Sequence, residues 1–226
     1  MTRLLALDAS SDACSVALWL DGEVVDATAH VPRGHTRHLM PMIDEVLARA
    51  GVSLHSLDAL AYGQGPGSFT GVRIAAGVAQ GLAFGIECPL LGISTLRALA
   101  LEVFRREGAT LVMPALDARL GELYTALYEI ASSRPEALVE PCVIAPEALS
   151  LPDATQGIVM AGSGVALAER LSGKVRLRIE RRLEDLSPRA AEMAMLAADD
   201  LAAGIRTTPQ AAVPVYLRDR VASSKR

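Results

Sequence analysis

Three strand-like runs open the chain, Arg3–Leu7, Ala13–Leu20 and Glu23–His30, and this succession constrains the fold more than any other feature. The second and third are joined by Asp21-Gly22, the dipeptide of a two-residue hairpin. Leu39, Met42, Ile43, Val46, Leu47 and Ala50 then recur at helical spacing, with Gly51 where a C-terminal glycine belongs and Pro41 in the first turns. A short strand at Leu57–Tyr62 leads through a glycine-rich loop into a helix over Thr70–Gly85. The order is βββαβα. A strand at Pro89–Ile93 and a helix capped by Ser94 and running through Arg106 follow. The order then recurs: strands at Leu111–Ala115, Glu122–Ile130 and Leu138–Ile144, at most one helical turn at Pro146–Leu149, and a strand at Gly157–Ala161. Gly162-Ser163-Gly164 opens a helix to Leu171, Val175–Ile179 reads as a strand, and Ser187-Pro188 caps a strong helix ending at Gly204. Such a pattern predicts an α/β protein of two βββαβα halves, residues 1–100 and 101–216, followed by a basic tail over 217–226.

Composition removes several function classes. At a net charge of −4 the chain has no general attraction for nucleic acid or anionic membrane, so RNA contact must come from a local patch or a partner. Cys14, Cys88 and Cys142 are far apart and form no C-x-x-C, which fits neither a zinc framework nor a disulfide one and suits a reducing cytosol. The run MTRLLALDAS is too short and too soon charged for a signal peptide, and no window approaches the ~20 apolar residues that cross a bilayer. A cytoplasmic protein without a membrane partner is expected.

The loop Gly63–Arg73, GQGPGSFTGVR, invites comparison with phosphate cradles. It lacks the lysine of a Walker loop, and the spacing of Gly63, Gly65, Gly67 and Gly71 is wrong for a dinucleotide loop. Backbone amides at a helix start, with Ser68 or Thr70 as cap and Arg73 in the first turn, could still hold an anion. A sharp strand-to-helix turn is the commoner use of such glycines and is favoured. The helix that follows carries one charge, Arg73, and four glycines, Gly71, Gly77, Gly81 and Gly85. Each interior glycine costs about 1 kcal/mol against alanine, so close approach of neighbours on more than one side is expected to compensate. Those neighbours are either the chain's own Leu39–Ala50 helix or another subunit.

The first hairpin, LLALDASSDACSVAL, resembles the first phosphate hairpin of the actin, Hsp70 and sugar-kinase superfamily, whose usual form is Asp-x-Gly-Thr/Ser. In that superfamily the glycine lets backbone approach phosphate and the Asp helps hold hydrated Mg²⁺. Asp8 is present here, but Ser10 stands where the glycine belongs. In the second such hairpin, ALDARLGELY, Asp117 is present and Arg119 replaces the glycine. Ala161–Gly164 resembles the superfamily's nucleoside-binding turn. The resemblance implies a duplicated actin-like, ribonuclease-H-like fold in which both phosphate hairpins have lost their close-approach residue. Asp8, Asp117, Gly162, Gly164 and Arg119 are the weak candidates for nucleotide contact.

LALDASSDACSVAL, GPGSFTGVR, LDAR-x-GE-x-Y and the terminal PVYLRD together resemble the TsaB (YeaZ) family, from Leu4 to about Ala222. The resemblance implies a non-catalytic partner of a catalytic paralogue, TsaD. With the ATPase TsaE, the two transfer a threonylcarbamoyl group to the adenosine beside the anticodon of tRNA. It also implies that first-half helices pack against TsaD, or against a second copy when TsaD is absent, and that tRNA is met indirectly. The candidate subunit face is Leu39, Met42, Ile43 and Val46 on one helix with Thr70, Arg73, Ile74, Gly77 and Gly81 on the next. No intrinsic cofactor is expected; ATP or ADP would sit at the subunit joint, near Arg73 or Arg119. The alternative is a stand-alone actin-like ATPase or small-molecule kinase using Mg-ATP through Asp8, Asp117 and Gly162-Ser163-Gly164.

Other chemistries are weaker. His35 and His38 could share a metal, but no third ligand is near in sequence. Asp8, Asp58 and Asp117 at strand ends suggest a two-metal nuclease only if they converge. KVRLRIERR, Lys174–Arg182, alternates basic and apolar residues and reads as a solvated strand face, with tRNA phosphate contact as the alternative.

Overall fold

The structure, a computed structural model, describes residues 2–153 and 155–218. Ten strands form two five-stranded sheets. The first contains β1 (Arg3–Asp8), β2 (Ala13–Leu20), β3 (Glu23–His30), β4 (Ala59–Gly65) and β5 (Leu90–Ser94), in the order β3-β2-β1-β4-β5. The second contains β6 (Leu111–Asp117), β7 (Leu123–Ala131), β8 (Arg134–Ile144), β9 (Ile158–Ala161) and β10 (Ile179–Leu183), in the order β8-β7-β6-β9-β10. In each sheet the first three strands are an antiparallel meander and the last two add in parallel. The two halves therefore share one topology, as the expected duplication requires.

Period-two burial places the helices. On β1, Leu5 and Leu7 face one side, where α1 (His35–Ala50) and α2 (Phe69–Gly85) pack; Leu4 and Ala6 face the other. That other side is covered by α5 (Ala190–Ala202) and by Ala98 and Leu101 of α3 (Thr95–Glu107). Leu96, Leu99, Ala100 and Val103 of α3 turn instead to the second sheet, against Val112, Leu116, Ala126 and Tyr128. A helix apolar on two faces is what a position between two sheets requires. The expected boundary at residue 100 falls inside α3, and α5, counted with the second half by sequence order, packs on the first sheet.

A charged seam closes the α3–α5 contact. Arg105 and Arg97 of α3 pair with Glu192 and Asp200 of α5, the latter at 3.0 Å; beside them Arg106 pairs with Glu102 within α3 at 2.9 Å and Arg189 with Asp26 of β3 at 2.7 Å. This seam corrects one expected cap. Helix α5 starts at Ala190, not beside Ser187-Pro188, because the Ala190 amide donates to Ser15 Oγ on β2 at 2.9 Å. The expected strand at Val175–Ile179 is also corrected. Gly173–Arg176 is one helical turn, α4, started by Ser172, and the strand is β10, parallel to β9. The segment after Gly162 is 3-10 rather than α-helical, over Ser163–Arg170.

The stripe Leu39, Met42, Ile43 and Val46 was expected on a subunit face. All four are buried against the first sheet, at 0 to 7 % exposure, so this part of the expected face belongs to the chain's own core. Six apolar positions at helical spacing satisfy any flat apolar neighbour, and β1, β2 and β4 supply it.

Candidate functional site

The loop after β4 is a plug seated on the first hairpin. A Cβ on Gly71 would lie 1.8 Å from the Ala9 carbonyl oxygen, and one on Gly67 2.6 Å from that of Ser10. The Ser68 amide donates to the Ser10 carbonyl at 2.7 Å, and Ser68 Oγ accepts from the Gly71 amide to cap α2. These glycines bring backbone against the chain's own backbone, not against phosphate. Asp8 lies beneath, fully buried. Its Oδ2 accepts from Ser10 Oγ (2.9 Å) and the Ser10 amide (3.2 Å); its Oδ1 has no partner and faces Gly63, where a Cβ would fall 2.0 Å away. Burial, opposed by the Ser10 hydrogen bonds, pushes the carboxyl up to about 7. A carboxyl that is sealed in and holds its proton to near neutrality does not fit as a seat for hydrated Mg²⁺.

The second hairpin is closed differently. Arg119, Leu120 and Gly121 are all left-handed, at φ +63°, +54° and +75°. The Arg119 amide donates to Asp117 Oδ1 at 2.8 Å and its guanidinium pairs with Oδ2 at 3.2 Å. The carboxylate is thus spent on its own turn, while the Arg119 and Leu120 side chains stand 84 and 79 % exposed. Gly162 (φ +108°) and Gly164 are needed against β6, since a Cβ on either would come within 3 Å of the Ala115 carbonyl. Ser163 Oγ accepts from the Asp117 amide at 3.0 Å. The residues that would hold a nucleotide therefore bind each other.

One face of α2 is open. Ala75, Ala76, Ala79 and Ala83 are buried on the sheet. Thr70, Arg73, Gly77 and Gly81 lie on the opposite side and are exposed, with Ile74 half-buried beside them. A Cβ on Gly77, Gly81 or Gly85 would meet nothing within 4 Å. Phe69 and Phe84, at the two ends of the helix, are 59 and 67 % exposed. The glycine track, with the exposed Phe84 near one end and Phe69 beneath the Arg73 guanidinium at the other, is an apolar face without a cover among the described residues.

The remaining candidates separate. His35 is buried with Nε2 at 2.8 Å from the Ser11 carbonyl, His38 is exposed, and no metal-holding cluster of His, Cys, Asp or Glu occurs among the described residues. Asp58 precedes β4, where it accepts from the Arg3 amide at 2.7 Å, whereas Asp8 ends the parallel strand β1. They lie at opposite ends of the sheet, so the carboxylates of a nuclease do not converge. In Lys174–Arg182 the arginines are matched: Arg176 and Arg182 with Glu169, Arg181 with Glu107, Arg178 with Asp153. This is a salt-bridged, solvated surface in which Arg176 and Arg182 share the single carboxylate of Glu169.

Sequence reasoning missed the segment 207–218. It leaves α5, bridges β5 at Leu90, and crosses the end of β4 to reach the second hairpin. Residues 219–226, most of the basic tail, lie outside those described. The segment has no periodicity to detect; its one signal was PVYLRD, noticed as a motif without a role.

Comparison with known proteins identifies the family. The tRNA threonylcarbamoyladenosine biosynthesis protein TsaB of Escherichia coli K12 is 42 % identical over 229 residues, covering 99 % of this chain and 97 % of that one. The chain belongs to the TsaB family. The structure of YeaZ from Pseudomonas aeruginosa superposes on this TsaB-family chain at a TM-score of 0.91, with 39 % identity, covering 96 % of this chain and all of that one. The family described as TsaD: tRNA N6-adenosine threonylcarbamoyltransferase matches residues 29–225. The transferase of Nitrosospira multiformis is 49 % identical over 61 residues, 27 % of this chain and 18 % of that one. TsaB-family and TsaD sequences are thus similar over much of this chain. No helix among the described residues is long and apolar enough to cross a membrane.

Proposed function

We propose that this chain is a non-catalytic, cytoplasmic partner subunit in tRNA threonylcarbamoyladenosine biosynthesis, and that it docks on the catalytic TsaD paralogue through the open face of α2. The observation that carries this reading is the exposed glycine track Gly77–Gly81–Gly85 on α2, with Phe69 and Phe84 exposed on the same helix. Glycines let a partner's backbone come close, and the phenylalanines offer large apolar area to bury. Without the paralogue the same face meets a second copy. TsaE and tRNA join through the complex. ATP or ADP, where it takes part, sits at the joint beside Arg73 or Arg119, the exposed cations on that side of each half.

A stand-alone ATPase is not favoured, because Asp8 is sealed and Asp117 is paired with Arg119. Sedimentation velocity with TsaD tests the docking reading. The wild-type chain forms a heterodimer, and Gly77→Leu fills the track and abolishes it while remaining a folded monomer. A Gly77→Leu chain that binds TsaD as tightly as wild type refutes the α2 assignment. Calorimetric binding of Mg-ATP to the isolated chain, lost in Asp8→Ala, would restore the ATPase reading.

A further inference from the structure

Residues 207–218 are held by their backbone. Gln80 Nε2 donates to the carbonyls of Pro209 (3.0 Å) and Ala212 (2.7 Å), the Tyr62 hydroxyl to that of Val213 (3.1 Å), and the Val215 amide to the Gln64 carbonyl (2.8 Å). Several side chains remain free to face outward: Val213, Val215 and Tyr216 are 66, 38 and 48 % exposed. Tyr216 lies at the head of α2, its ring centroid 6.3 Å from that of Phe69. The Arg73 guanidinium sits 3.3 Å from the Phe69 centroid and 4.8 Å from that of Tyr216. Beyond it, Arg218 donates to the Ala118 carbonyl at 3.1 Å and pairs with Glu122 on the second hairpin.

We propose that residues 213–218 are a clasp that completes the docking surface. The clasp lays Tyr216 beside Phe69 and Arg73, and the Arg218–Glu122 ion pair holds it shut. The occupant is the catalytic paralogue of the function proposed above, on which this inference rests. Two features of the surface select it. Tyr216, Phe69 and Arg73 are continuous with the glycine track of α2, so a protein covering that track reaches the clasp. Arg73 also meets aromatic faces and the Phe69 carbonyl but no carboxylate among the described residues, so the occupant brings an acidic side chain to it. Docking is then coupled to closure: a chain with an open clasp presents an incomplete surface, and its apparent affinity falls by the fraction that is open.

The test uses the full chain with TsaD and two readouts, hydrogen exchange at the Val215 amide and affinity by calorimetry. Arg218→Glu should speed exchange at Val215 and weaken TsaD binding about tenfold. Adding Glu122→Arg should restore both, which a merely structural loss would not do. Tyr216→Ala should weaken binding about tenfold with exchange at Val215 unchanged, as expected of an aromatic anchor. The clasp is refuted if Arg218→Glu leaves exchange unchanged, or opens the segment with affinity intact, or if the double variant rescues nothing. Gly77→Leu separates the two levels: if it too leaves affinity intact, the docking face itself is misplaced. If it abolishes binding while the clasp variants bind normally, the face stands and only the clasp falls.

Discussion

Asp8 should make this protein less stable as pH rises through neutrality, and the slope can be worked out. In the unfolded chain an aspartate releases its proton near 3.8; in the folded chain burial holds it to about 7. Between those values the folded state binds more protons, so stability falls with rising pH by about 1.4 kcal/mol per unit. From about pH 5.5 to the folded value, Asp8 costs roughly 2 kcal/mol; above it the loss is complete. Glu102, 1 % exposed in the α3–α5 seam, is likewise raised to about 7, by burial first and the charge of Glu192 second, against Arg106, Arg189 and Arg105. It contributes about as much with the same sign. The exposed Glu147 and Glu169, held below their ordinary range by hydrogen bonds from Arg170 and from Arg182 and Arg176, finish titrating below this window. The assay is urea unfolding followed by Trp19 fluorescence at a series of pH values. Wild type should lose about 4 kcal/mol across the window, and Asp8→Asn about half of that. The asparagine carbonyl keeps the Ser10 hydrogen bonds, while its amide faces Gly63 without an acceptor, at a pH-independent cost of about 1–3 kcal/mol. The slope is therefore the diagnostic, not the level. A variant with the wild-type slope would show that Asp8 is ionised in the fold, and the argument against a metal seat would lose its electrostatic support.

Two further perturbations probe the same architecture by thermal melting. Gly71→Ala drives a methyl into the Ala9 carbonyl and should cost about 3 kcal/mol or more, whereas Gly81→Ala points into open space and should gain about 1 kcal/mol of helix propensity. Equal effects would mean that the plug is not seated as described. Ile43→Asp should abolish folding, read as loss of the far-UV helical signal, because it places a charge in the core beneath α1. A folded variant that only fails to dock would return α1 to the subunit face.

Much of the architecture was legible because it rests on local signals. Asp21-Gly22 turns with both residues at positive φ, Gly51 ends α1 in the left-handed conformation, and Ser94 caps α3 by accepting from the Arg97 amide. What was illegible depended on neighbours distant in sequence. The start of α5 is set by Ser15, 175 residues away. The alternation in Lys174–Arg182 suits either a strand or a turn until β9 selects Ile179–Leu183 as its parallel partner. The core stripe of α1 and a docking stripe have the same spacing, and only the position of the first sheet tells them apart. On α2 the glycine content points to the exposed Thr70, Arg73, Gly77 and Gly81, but nothing local in the sequence marks Phe69 and Phe84 as exposed rather than core.

The glycines show why the opening loop was so ambiguous. Gly63, Gly67, Gly71, Gly162 and Gly164 are required where backbone or a buried carboxyl already sits within 3 Å of a would-be Cβ. Gly77, Gly81 and Gly85 have nothing near. The first group is satisfied inside the chain, and replacing any member harms the fold. Gly77 and Gly81, inside the helix, each leave it less stable by about 1 kcal/mol and give nothing back to the isolated chain, whereas Gly85 is its last residue. A cost that the monomer does not recover must be recovered in an assembly or not at all. The first hairpin is covered by the loop carrying Gly67 and Gly71 and the second is closed by the Asp117–Arg119 pair, while the outer face of α2 is bare at Gly77 and Gly81. Close approach is used inside the chain by the first group and left open on the surface of α2 by the second, which is what the proposed docking role requires.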